Sequence, residues 1–142
     1  MSACTGIPSV GNEKDAKGIS IPSRHFRGMD EVLAKAGPVV AVMLDPGVCR
    51  FKSEISVTMN EDNQLTYLIE SQCPFVKKMS AELPLFGMFD IIKMPFCENP
   101  IYEFTGKFLK HSACPLPMAM IKAGEVVTGM GLKRSVMVEF KS

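Results

Sequence analysis

The chain has 142 residues, 46% of them hydrophobic and 22% charged, with a formal net charge of +1, which is the make-up of one ordinary globular domain with a substantial core. No run of like charge exceeds pairs such as Lys77-Lys78 and Lys133-Arg134, so nucleic acid and anionic membrane have little electrostatic support as partners. No apolar run reaches the ~18 residues of a membrane span, and the N-terminus has no signal-peptide pattern; a cytoplasmic protein is expected, with a protein partner and the oligomeric state left open.

Residues 1–37 read as an N-terminal extension or arm, rich in Gly, Ser and Lys, with a short helix from Met29 to Ala36 that Gly37-Pro38 ends. The remaining residues, 38–142, form a single domain. Val39 to Leu44 is a continuous apolar run of strand length and predicts a buried strand. Asp45-Pro46-Gly47-Val48 fits a type II turn. From Cys49 to Met59 the residues alternate, with Cys49, Phe51, Ser53, Ile55, Val57 and Met59 on the inward face. A turn at Asn60–Asn63 returns the chain through Gln64 to Glu70. With Met59 facing Gln64, extrapolated register sets Cys49 beside Cys73, at the open end of the hairpin.

Cys73-Pro74 predicts a helix with the cysteine at its N-cap and Pro84 beyond its end. Leu85 to Lys93 is a short apolar segment. Asn99-Pro100 opens a second helix by the same logic, this time with a strong capping residue. Cys114-Pro115-Leu116-Pro117 opens a third, apolar almost all round and therefore buried, in which Gly124 allows another element to come close. Ser135 to Phe140 alternates as a last strand. The expected fold is α+β: about four mostly antiparallel strands with three or four helices packed on one face.

Five cysteines in a chain without a secretion signal argue against a disulfide framework. Cys4 lies in the polar N-terminal stretch and carries no expectation. Cys49, Cys73 and Cys114 form a set, since two open helices, where the helix dipole lowers a thiol's pKa, and register brings in the third. Cys97 or His111 is the candidate to complete it. Three or four thiolates from separate loops suit zinc or an iron–sulfur cluster. The alternative is sulfur transfer or thiol redox chemistry with Cys114 as nucleophile and Cys73 or Cys49 as resolving thiol. A structural domain without metal, its cysteines filling the core, is the third reading. Of the eleven methionines, Met118, Met120, Met130 and Met137 fall on the apolar faces of a helix and a strand and predict packing, not copper.

Two resemblances bear on these alternatives. Cys114-Pro115-Leu116-Pro117 followed by an apolar helix with Lys122 is similar to the C-P-x-P signature of small sulfur carriers of the TusA/SirA type. That similarity implies a persulfide on Cys114, but here the motif comes late in the chain instead of after the first strand. Four blocks also resemble a small uncharacterised family of anaerobic prokaryotes: Pro46–Phe51, Glu70–Pro74, Asn99–Tyr102 and His111–Pro117. This second resemblance implies no activity. It groups the three cysteines and sets residues 1–38 apart as an extension.

Overall fold

The computed structural model describes residues 38–142; the arm, its helix at Met29–Ala36, Cys4 and His25 lie outside the described residues. The backbone forms one antiparallel sheet in the order β1 (Val39–Leu44), β2 (Ser53–Met59), β3 (Gln64–Ser71) and β4 (Phe86–Gly87). Three helices follow the third strand: α1 (Pro74–Ser80), α2 (Pro100–Thr105) and α3 (Leu116–Val127). A 3₁₀ turn at Phe96–Glu98 precedes α2. The expected α+β class is therefore the observed one.

Period-2 alternation builds the core. Val40 and Val42 of β1, Ile55 and Val57 of β2, and Leu65, Tyr67 and Ile69 of β3 share one face. Against this face pack Val76 and Met79 of α1 and Leu116, Ala119, Met120 and Ala123 of α3. The helices thus lie on the side where burying apolar surface is favourable. The bond from the Tyr67 hydroxyl to the Met120 carbonyl, 2.7 Å long, ties the sheet to α3.

Four expectations are corrected. β1 is an edge strand, not one buried on both faces: Val40 and Val42 point inward while Met43 is 57% exposed. β2 begins at Ser53 and not at Cys49, because Arg50 takes a left-handed backbone conformation (φ 61°) that breaks the extended run. The hairpin register is one residue away from the expected one, with Met59 opposite Leu65. Asn63 is the cause: it closes a turn onto the Asn60 carbonyl and itself adopts φ 60°, giving the three-residue hairpin loop that ends in a left-handed residue. Finally, Ser135–Phe140 forms no strand, and Val138 and Phe140 are exposed. The fourth strand is Phe86–Gly87 instead, paired to the start of β3.

Candidate thiol site

The end of the sheet nearest Cys73 is built differently from its middle. In the central rung Val42, Ile55 and Ile69 stand side by side and fill the space beneath the helices. In the last rung the partners are Leu44, Ser53 and Ser71. Two small side chains there leave room above the sheet, and a cavity of about 160 Å³ occupies it.

Cys49, Cys73 and Cys114 all line this cavity, each half-buried and each a free thiol. Cys49 arrives on the loop after β1. There Gly47, at φ 89°, takes the left-handed position that a type II turn requires, and its N–H is bonded to the Asp45 carboxylate. The Arg50 N–H then closes a turn on the Gly47 carbonyl. Cys49 meets Cys73 through this loop and not through strand register. Cys73 is the N-cap of α1, as expected, and its N–H donates to the Ser71 hydroxyl at 3.1 Å. Its sulfur caps no N–H of the helix, which leaves it for the cavity.

Cys114 stands one residue earlier than expected: Pro115 is the N-cap of α3, and Pro117 falls in the first turn. Burial pushes the Cys114 thiol above its ordinary value, the opposite of the expected depression. The Leu116 N–H, which bonds to the sulfur, works the other way but does not win, and the nearby thiols of Cys73 and Cys49 add to the rise. Cys73 and Cys49 thus both lie within electrostatic reach of Cys114.

Apolar walls from Phe51, Phe75, Val76, Leu109 and Leu116 complete the cavity, with Lys110 and His111 beside them. His111 is exposed, which puts it at the mouth. The Lys110 ammonium lies 5.9 Å from the centroid of the Phe75 ring, within cation–π range. Cys97 is exposed on the 3₁₀ turn and does not line the cavity. Among the described residues no three His, Cys, Asp or Glu side chains close on a single point as the ligands of one ion would. Ser53 and Ser71, which make the space, were not among the residues singled out from the sequence. Their signal was available: two small residues on inward faces at the cysteine end of both strands.

Residues 40–140 match a family of unknown function, DUF6951, and the chain belongs to it. No curated protein and no solved structure matches. Among the described residues no helix is long and apolar enough to cross a membrane.

Proposed function

We propose that this cavity is a thiolate site for a soft metal, zinc or the iron of an iron–sulfur cluster, in a cytoplasmic protein with a redox or cofactor-handling role. One observation carries the reading: three cysteines from three separate loops line the same apolar space. Buried cysteine as mere packing needs no such convergence, because a small hydrophobe is equally at home anywhere in a core. Three sulfurs gathered where water is scarce are stable as neutral thiols, and a cation is what would let them ionise together. Among the described residues His111, at the mouth, is the remaining candidate ligand.

Metal binding in such a site is also folding energy, since the unfolded chain offers no preformed ligand set. The test is protein purified without oxygen, followed by elemental analysis and an absorbance spectrum. Bound zinc, or iron with visible colour, supports the proposal, and Cys49→Ser, Cys73→Ser and Cys114→Ser should each lose the metal. Metal-free protein that carries a labelled persulfide on Cys114 would replace it with the sulfur-carrier reading. Metal-free protein with neither would leave the cysteines as packing.

A further inference from the structure

We infer that the occupant of the cavity is a polynuclear iron–sulfur cluster held by Cys49, Cys73 and Cys114, with one iron left open to a small anionic ligand beside Lys110. This rests on the thiolate reading above and narrows it.

Size is the first argument. A structural zinc site closes four ligands at ~2.3 Å from the ion, so its sulfurs stand about 3.8 Å apart with no void between them. Here the three thiols surround a space of about 160 Å³. A single water needs only ~10–15 Å³ measured in the same way, so this space has room for a body of several heavy atoms.

Lining is the second argument. The walls are aromatic and aliphatic, and the floor rung carries two serines, of which Ser71 already accepts the Cys73 N–H. A cluster spreads its charge over several irons and sulfides and is conventionally held by cysteine thiolates in apolar surroundings.

The third argument is the ligand count. Among the described residues three cysteines line the cavity and Cys97 does not, so a four-iron core held by these alone would keep one iron without a cysteine. The Lys110 ammonium is held over Phe75, itself a wall of the cavity, and so places a positive charge at its edge. A small anion donating an oxygen or sulfur electron pair to that iron would have its charge matched there. This is simple coordination: no bond of the ligand breaks and no electron moves. Assembly of the core takes ferrous and ferric iron in equal amounts with sulfide, so that no further oxidant is needed, and the three thiols release their protons as they bind.

The test is oxygen-free reconstitution of the full chain with equal amounts of ferrous and ferric iron and with sulfide, then titration of the loaded protein with mercaptoacetate followed by its visible spectrum and, after reduction with dithionite, its electron paramagnetic resonance spectrum. About four irons and as many sulfides per chain are expected, with a spectral change on adding mercaptoacetate. Lys110→Met should keep the iron content and bind mercaptoacetate about tenfold more weakly. Ser53→Val narrows the floor without removing a ligand and should lose the cluster; circular dichroism of the metal-free variant shows whether it still folds. If it does not fold, Ser53→Ala, which leaves the space open, should retain the cluster. One metal ion per chain without sulfide overturns the cluster and leaves the thiolate site standing. Failure to bind iron or zinc at all overturns the thiolate reading itself. A loaded cluster indifferent to mercaptoacetate, or equally responsive in Lys110→Met, overturns the open iron.

Discussion

The two ends of α3 face the same sheet and are treated in opposite ways. Around Gly124, in its C-terminal half, the helix is packed to contact. A Cβ placed on Gly124 would lie 2.6 Å from the Tyr67 hydroxyl oxygen and 2.8 Å from Ile91 Cδ1, so only glycine admits both neighbours. At its N-terminal end the facing rung is Ser53 and Ser71, and a cavity ringed by cysteines takes the place of side chains. Two buried polar groups at the packed end have named partners: the Tyr67 hydroxyl has Met120, and the Asn99 side chain has two carbonyls and two N–H groups. The thiols at the open end have the Leu116 N–H and one another. One end of the helix anchors the fold, so the other can hold an unfilled apolar space whose lining carries reactive groups.

Substitutions should separate the two ends by size of effect. Gly124→Val forces its side chain into Tyr67 and Ile91 and should cost about 3 kcal/mol by overpacking, read as a fall in the urea midpoint. Asn99→Ala comes next. It removes the cap of α2 and two bonds to the Ile91 and Lys93 carbonyls and should cost about 2 kcal/mol. Denaturation at neutral pH measures it, and a loss within error of zero would mean that the segment before α2 is not held by this residue.

Tyr67→Phe should cost about 1–2 kcal/mol, because it leaves the Met120 carbonyl buried without its donor. It should also change the response to alkali. Burial, with Glu125 nearby, holds the Tyr67 phenol protonated well beyond the usual range. The unfolded chain ionises it near pH 10, so above that pH the unfolded state binds fewer protons than the folded one. Wild-type stability should then fall by at most about 1.4 kcal/mol per pH unit from this group, and Tyr67→Phe should flatten the decline.

The smallest effect belongs to the open end. Cys114→Ser in metal-free protein should cost less than about 1 kcal/mol, since the thiol is only half-buried and borders a void. Its raised thiol pKa predicts alkylation of the folded, metal-free protein that is slow at neutral pH and quickens above the ordinary thiol range near pH 8.5. A Cys114 that alkylates fast at pH 7 would break the contrast, because the site would then be solvated and not apolar.

Much of this was legible in the chain because it is local. The apolar run Val39–Leu44 is β1 residue for residue, Asn99 caps α2 through its side chain, Cys73 precedes Pro74 at the start of α1, and Gly124 marks a close approach. Each depends on a residue's own backbone preference or on a period within one element. The grouping of Cys49, Cys73 and Cys114 was legible too, but by a route that does not hold. Strand register was to bring Cys49 to Cys73, and a left-handed Arg50 instead lifts Cys49 out of the strand onto a loop. Alternation showed the polarity of that stretch and could not show the break, since arginine carries no signal for a positive φ.

What the sequence by itself determined is therefore the first three strands and the three helices, the caps at Cys73 and Asn99, and the inward faces that make the core. Only the tertiary structure decided the register, through one left-handed asparagine, and the irregular path of Ser135–Phe140, whose alternation does not become a strand. It also decided the Cys114 thiol's pKa, because the helix dipole is a property of the local chain while desolvation depends on everything packed around the sulfur. The cavity is the plainest case. Two serines in two strands are unremarkable in sequence, and they become a space only when register sets them side by side under three cysteines.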